Sequence, residues 1–568
     1  MNRRNFVEWI SASGILLSTP ISAFPSILNR PSLISDLETN ADVVIAGGGL
    51  GGVAAALGCL RNGLKVILTE ETEWIGGQIS QQGVPPDEHR WIETHGAPKS
   101  YRDFRNGVRD YYRRYYPLTE EALGRQYLNP GDGSVSRICH EMRVAVAVML
   151  EMLAPYMSSG KLMLLTEHKV KAATVDGDQV KSVSVNNLRN GAEHIFSASY
   201  FIDATELGDL LPLTGTEYVT GAESKSQTNE LHAADKAEPE NNQAFTVCFA
   251  MDYLKGENHV IPKPREYDFW RDFTPKMDTP WSGRLLSLMY SSPSTLQPKE
   301  LGFHPEGVKT GDMLNLWLYR RLINPGNFVP GTYQSGITIV NWPQNDYFLG
   351  NIVDVSDEEF NRQFERGKQL SLSLLYWLQT EAPRPDGGTG WPGLRLRKDI
   401  MGTEDGMAKY PYVRESRRIK AKFTILEEHV GAENRALVAG KKAGVKAKEF
   451  EDSVGIGYYH IDLHPSTGGN NYIDFGSLPF QIPLGALLPE RMKNILPANK
   501  NIGTTHITNG CYRLHPVEWS IGEAAGCLCA FALNKKVSPV AVREDKKLLS
   551  DFQKFIQSQG VELEWPKD

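Results

Sequence analysis

The stretch Ala41-Asp42-Val43-Val44-Ile45-Ala46-Gly47-Gly48-Gly49-Leu50-Gly51-Gly52 decides the fold. Its first half is a β-branched run suited to a buried parallel strand, and its second half is glycine. An alanine-rich helix is expected over 53–60 with Gly63 ending it, and Lys65-Val66-Ile67-Leu68-Thr69-Glu70 reads as the next strand. The three pieces form a βαβ unit of the dinucleotide-binding kind. Gly47 permits the tight turn, and Gly49, with Gly51 beside it, lets backbone amides approach a pyrophosphate at the helix N-terminus. Gly52 lets the helix close on the strand. Glu70, at the end of the second strand, can accept hydrogen bonds from ribose hydroxyls and would repel a 2′-phosphate. A glycine-rich turn between packed elements is the alternative reading.

Directly after Glu70 comes Glu71-Thr72-Glu73-Trp74-Ile75-Gly76-Gly77-Gln78-Ile79-Ser80, a second glycine pair for which a nicotinamide domain has no need. Residues 41–80 resemble the amino-terminal flavin motif of the glutathione-reductase-type FAD fold, in the branch of bacterial FAD-dependent oxidoreductases. Phe201-Ile202-Asp203-Ala204-Thr205-Glu206-Leu207-Gly208-Asp209 is similar to the second flavin signature, with Asp203 and Thr205 in register and Glu206 where glycine is usual. The segment from Ile495 to Ala532 is similar to the last flavin motif. There the resemblance puts Pro516, Val517 and Glu518 at the N1/C2 carbonyl edge of the flavin and Asn501 and Gly503 in the loop before it. Asn499-Lys500-Asn501 replaces the acidic residue of many relatives. The resemblance implies an α/β protein binding FAD through Gly47, Gly49, Gly51, Gly52, Glu70, Gly76, Gly77, Gln78, Asp203, Thr205, Asn501, Gly503, Pro516, Val517 and Glu518. It also implies a glutathione-reductase-type Rossmann FAD-binding domain with an inserted mixed α+β substrate domain.

Along the chain the expected order is an export signal at 1–23, a linker at 24–40, a first FAD portion at 41–213 and a substrate or cap domain at 214–414. The return to the FAD domain spans 415–535, and a helical segment closes the chain at 536–568. Arg3-Arg4-Asn5-Phe6 resembles a twin-arginine signal, with Glu8 departing from it, and Pro20, Ser22 and Ala23 offer a peptidase site. The mature protein is expected to be periplasmic or extracellular. Helices are expected over 101–116, 144–157 and 358–380, a strand over 161–166 and a hairpin about Asp176-Gly177-Asp178. In the first helix Arg102, Arg105, Arg109 and Arg113 form a solvated or ion-paired stripe opposite Tyr101, Phe104, Val108, Tyr112 and Tyr115.

Among 568 residues, 61 Lys and Arg against 68 Asp and Glu leave a net charge of −7, which argues against nucleic acid as a partner. Six cysteines without a Cys-x-x-Cys pair exclude dithiol redox chemistry and zinc ribbons. No window after the signal carries eighteen uncharged apolar residues, so no stable membrane span is expected. A second strand-linked GxGxxG is missing, which disfavours a separate NAD(P)H domain. Electrons are expected to pass to a quinone, a redox protein or oxygen.

Hydride transfer from carbon to flavin needs a base for the accompanying proton. His506 and His515 are the expected catalytic pair, with Arg513 stabilising anionic substrate or flavin. His460 and His464, in His460-Ile461-Asp462-Leu463-His464, are a second pair that Asp462 can orient; no metal is assigned to them. Arg414 and Arg417 can clamp a substrate carboxylate or form structural ion pairs, and Trp342 and Tyr347 can stack on substrate or pack a loop core. The expected activity moves a hydride between a small organic, carbohydrate- or alcohol-like substrate and flavin N5. A flavin-assisted isomerase or lyase, and a non-catalytic exported glycan-binding protein on the same fold, are the alternatives. Oligomeric state stays open.

Overall fold

The computed structural model describes residues 39–441 and 444–566. The expected signal at 1–23 and the linker up to residue 38 lie outside the described residues. Strand β1 (Thr39–Ala46), helix α1 (Leu50–Arg61) and strand β2 (Val66–Glu70) form the expected unit. β2 runs parallel to β1 from Val43 opposite Val66 to Ala46 opposite Thr69. Beyond β2 lies β3 (Leu162–Thr166), also parallel.

On the other side β1 pairs in parallel with β6 (Glu193–Asp203), which continues antiparallel into β5 (Gln179–Asn187) and β4 (His168–Asp176). The expected hairpin is the β4–β5 turn. A late strand, β13 (Ile495–Pro497), returns to lie parallel to the end of β6. The carboxyl ends of β1, β2, β6 and β13 therefore share one edge, the place where open parallel sheets bind nucleotides.

Helix α6 (His515–Lys535) packs on α1 through glycine. A Cβ on Gly522 would lie 2.0 Å from the Gly51 carbonyl oxygen, and one on Gly526 would lie 2.1 Å from that of Ala55. A Cβ on Gly51 would lie 1.6 Å from the Ala498 carbonyl oxygen. Gly51 is thus held by close packing on the Ala498 main chain. Gly52 abuts the Gly47 carbonyl, and Gly47 turns with φ of +94° against the Ala204 carbonyl.

Helix α2 (Lys99–Tyr115) buries Tyr101, Phe104, Val108 and Tyr112, but Tyr115 in its last turn is exposed beside Tyr111. Its arginine stripe is ion-paired at all four positions: Arg102 with Glu562, Arg105 with Glu88 and Glu93, Arg109 with Glu93 and Arg113 with Asp110. Helix α3 (Met142–Ser158) packs against α2 and β3.

The middle of the chain builds a four-stranded antiparallel sheet of β7 (Phe249–Tyr253), β8 (Arg321–Ile323), β9 (Ile337–Val340) and β10 (Leu394–Leu396), in the order β8-β9-β7-β10. Helix α4 (Asp357–Thr380) starts with Ser356 accepting from the Glu359 amide and three acids in its first turn, a favourable N-terminus. Tyr347 is wholly buried in this region's aromatic core. All six cysteines are buried and unbridged.

Gly51→Ala forces a methyl group into a carbonyl, whereas Gly63→Ala adds one in open space at φ of +85°. The first is expected to destabilise by about 3 kcal/mol or more and the second by about 1 kcal/mol in denaturant titrations. Equal losses would show that α1 and the Ala498 main chain move apart at little cost.

Candidate active site

A first cavity lies at the shared strand edge, lined by Gly47, Gly49, Glu70, Glu71, Thr205, Glu206 and Asp209 among others. Glu70 ends β2, and its carboxylate accepts from the Gly48 amide at 2.9 Å and from the Thr72 amide and hydroxyl at 2.8 and 2.9 Å. Asp203 ends β6 and spends its oxygens on the turn, accepting from the Thr205 amide and hydroxyl and from the Leu210 amide. Asp203 therefore builds the cleft rather than facing it. Gly76 donates from its amide to the Gly48 carbonyl at 2.7 Å, which lays the second glycine pair on the first.

From this cavity a chain of buried polar contacts leads inward. Glu206 bonds Lys500 at 2.5 Å, and Lys500 lies 3.0 Å from Glu518 in the first turn of α6. Gln78 donates from its side-chain amide to the Arg513 carbonyl at 2.8 Å. Glu206 Oε1, Asn499 Oδ1 and Gln78 Oε1 are buried without a hydrogen-bond partner among the described residues. Asn501 donates to the Asp203 carbonyl, and a Cβ on Gly503 would strike Ala421 and the Phe423 carbonyl. Both brace the scaffold through these contacts. Val517 packs against Gly457 and Pro516 starts α6, as the position of a proline in a first turn favours.

Arg513 also borders a second cavity. Its walls carry the rings of Tyr290, Tyr319, Trp342, Tyr412, Tyr459 and Tyr472 and the side chains of Arg320, Arg414, Arg513, His460 and His464. Each arginine has a carboxylate: Arg320 with Asp87 at 3.3 Å, Arg414 with Asp346 at 3.0 Å and Arg513 with Asp462 at 3.1 Å. His464 bridges two of these acids, with Nδ1 2.6 Å from Asp346 and Nε2 3.5 Å from Asp462. Asp462 is held well below the carboxylate range because His464, Arg513 and His460 outweigh its burial. Strands β11 (Ile461–Leu463) and β12 (Ile473–Phe475) pair antiparallel and bring Asp474 to His460, where Nδ1 meets Oδ1 at 2.7 Å. Burial lowers the His460 pKa, but the Asp474 bond and the Asp462 charge outweigh it and leave it raised.

The expected catalytic pair lies elsewhere. His515 accepts at Nδ1 from the Asp87 amide at 3.1 Å and faces the Val84 carbonyl with Nε2 at 3.3 Å. Both ring nitrogens are used, and burial pulls its pKa down to about 4, so it is a neutral brace for the 84–87 loop. His506 is locked to Glu415 at 2.6 Å, which outweighs burial and raises its pKa. It lines neither cavity. Arg417 binds Asp209 and Asp354 and also stays outside the second cavity. The residues that the sequence left unassigned are Asp474, Asp87, Arg320, Glu206 and Lys500. Only the last two had a signal, as departures from the flavin motifs.

A family model described as FAD dependent oxidoreductase matches residues 42–556. The chain belongs to that family. FAD is its cofactor, and the lining fits the group: glycine-lined main chain at Gly49 and Gly77 where backbone can approach a pyrophosphate, and Glu70 at the strand end to accept from ribose hydroxyls.

Among solved structures, the chain is similar to an E. coli quinol fumarate reductase at 10% identity, over 92% of this chain and 74% of that one, with a TM-score of 0.31. A glycerol-3-phosphate dehydrogenase from Bacillus halodurans, complexed with FAD, aligns at 13% identity over 38% and 40%, with a TM-score of 0.22. An L-proline dehydrogenase from P. horikoshii aligns at 16% identity over 32% of this chain and 24% of that one, with a TM-score of 0.17. The chain thus spans only about a quarter of the proline dehydrogenase's length. No curated protein matches this sequence.

Burial, and then the neighbouring Glu71 charge, push the Glu70 carboxyl up from 4.5 to about 8. The folded chain therefore keeps a proton there that the unfolded chain releases above about pH 4.5, so this group's contribution is full below that pH and is lost as pH rises toward about 8. Glu70→Gln is expected to flatten the corresponding fall in thermal midpoint. A slope equal to that of the wild type would mean that Glu70 is ionised in the fold throughout.

Proposed function

We propose that this FAD-dependent oxidoreductase is a dehydrogenase that oxidises a secondary alcohol of a polyhydroxylated, carbohydrate-like substrate in the second cavity, the reverse reduction using the same groups. The observation that carries the reading is the His460–Asp474 pair on the wall of an aromatic cavity whose arginines are already matched by carboxylates. A carboxylate substrate would have to break one of those pairs. Neutral hydroxyls need not, because Nε of Arg320, Arg414 and Arg513 and the Trp342 indole nitrogen have no hydrogen-bond partner among the described residues. These are donors for substrate oxygens, and the tyrosine and tryptophan rings offer faces for sugar C–H groups.

Bound FAD supplies an acceptor for the carbon-bound hydrogen and its two electrons. His460 takes the hydroxyl proton at Nε2, for which no partner is found among the described residues, while Asp474 fixes the ring through Nδ1. The arginine donors hold the oxygen that becomes a carbonyl. Arg513 is kept in place by Asp462 and by the Tyr412 hydroxyl at 3.3 Å. His515 positions the main chain of Asp87 and so the partner of Arg320.

We also read residues 214–414 as a substrate domain inserted into a glutathione-reductase-type FAD domain, and the first 23 residues as a twin-arginine export signal. In this reading the mature protein works in the periplasm or outside the cell and hands electrons to a quinone, a redox protein or oxygen. Replacing Arg3 and Arg4 together by Lys is expected to keep the precursor in the cytoplasm in fractionation experiments. Export at the normal rate would remove the twin-arginine reading.

The decisive test adds a sugar and polyol panel anaerobically and follows loss of the oxidised-flavin absorbance. Flavin that stays oxidised while substrate is converted would favour the isomerase or lyase reading. His460→Ala is expected to slow bleaching about 100-fold. Asp474→Asn removes the group that raises the His460 pKa, so the acid limb of the rate profile should move to lower pH even as the maximum rate falls. A limb that stays in place would take His460 out of the base role.

A further inference from the structure

Two departures from the flavin motifs, Glu206 in place of glycine and Lys500 in a segment where relatives carry an acid, meet in space. Their side chains are 2.5 Å apart, and the ammonium reaches Glu518 at 3.0 Å. Lys500 and Glu518 are wholly buried and Glu206 is 6% exposed.

Glu206 Oε1 has no hydrogen-bond partner among the described residues. It lies 2.9 Å from the position of a Cβ on Gly49 and 2.5 Å from that of one on Gly77. Gly49 is the N-cap of α1, a twelve-residue helix with no acidic side chain in its first turn and no side-chain cap. The carboxylate thus occupies the ground over the positive end of α1, where a dinucleotide pyrophosphate is bound in this kind of βαβ unit. A carboxylate and a pyrophosphate cannot share that ground, because both are anions with the same partner.

The charge count points the same way. One ammonium faces two carboxylates, and the other charged groups around the cavity, Glu70, Glu71 and Asp209, are acids, offset by Lys169 and by Arg417, which is already committed to Asp209. Burial works against the Lys500 charge, yet Glu206 and Glu518 outweigh it and raise its pKa, so the cation persists.

We propose that Lys500 is the cation that neutralises the FAD pyrophosphate, held in position by Glu518, and that Glu206 yields its place over Gly49 and Gly77, and its hold on Lys500, to the phosphates. Lys500 and Glu206 then set how tightly the cofactor is kept without taking part in hydride transfer. The inference rests on the FAD site alone, so failure of the alcohol dehydrogenase assay leaves it standing.

The test follows release of FAD from diluted holoenzyme by the rise in flavin fluorescence. Glu206→Gln removes the competing charge and is expected to slow release about tenfold relative to wild type. Lys500→Met should speed release about 100-fold, with Lys500→Arg within about fivefold of wild type. Because Lys500→Met leaves two buried carboxylates without a cation, the double variant Glu206→Gln with Lys500→Met is the safeguard for folding. It is expected to release FAD about 100-fold faster than Glu206→Gln alone. Release from Glu206→Gln at or above the wild-type rate would overturn the competition. Equal rates for the single glutamine variant and the double variant would overturn the role of Lys500.

Discussion

Main chain meets main chain where α1 crosses α6. Gly522 and Gly526 of α6 meet the carbonyls of Gly51 and Ala55 on α1 with no room for a methyl group, and Gly51 and Gly52 close as tightly on the carbonyls of Ala498 and Gly47. Closeness of this kind is fixed by sterics rather than by a balance of weak attractions, since backbone cannot rotate out of the way as a side chain can. It draws the N-terminal ends of two long helices to the same edge of the parallel sheet, more than four hundred residues apart in sequence. One end presents Gly49, and the other carries Glu518. Lys500 spans the space between them because the strand Ile495–Pro497 ends beside Asp203.

The two cavities differ in how charge is closed. In the second, arginines and aspartates alternate along the wall from Arg414 through Asp346, His464 and Asp462 to Arg513, each within ion-pair distance of the next. Buried charges that are paired in this way keep fixed geometry. In the first, acids outnumber cations, and burial raises Glu70 and Glu71.

The βαβ unit could be read from sequence because strand, glycine turn and helix follow one another along the chain, so their physics is local. The same is true of Pro516 at the start of α6 and of the hairpin at Gly177. The surroundings of the histidines could not be read that way. His506 and His515 stood in the flavin-facing segment, yet what an imidazole does is set by its neighbours, and theirs are Glu415 and the main chain of residues 84–87. His460 acquires Asp474 through a hairpin, and His464 acquires Asp346 across 118 positions. The His-x-x-x-His spacing carried no trace of either partner. Tyr115 shows the same limit on a smaller scale: its periodicity is right, but the helix outruns the surface that would cover it.

His515 illustrates how a residue can be indispensable to a site without touching its ligand. A charged imidazole at the start of α6 would add to the helix-end potential and to the Arg513 and Arg320 charges nearby. Burial and the backbone contacts of Val84 and Asp87 keep it neutral instead. Its ring then serves as a rigid strut from the helix that braces the cofactor to the loop whose Asp87 steadies Arg320. Through that strut α6 and Arg320 of the second cavity are held by one side chain, so their spacing is fixed by packing.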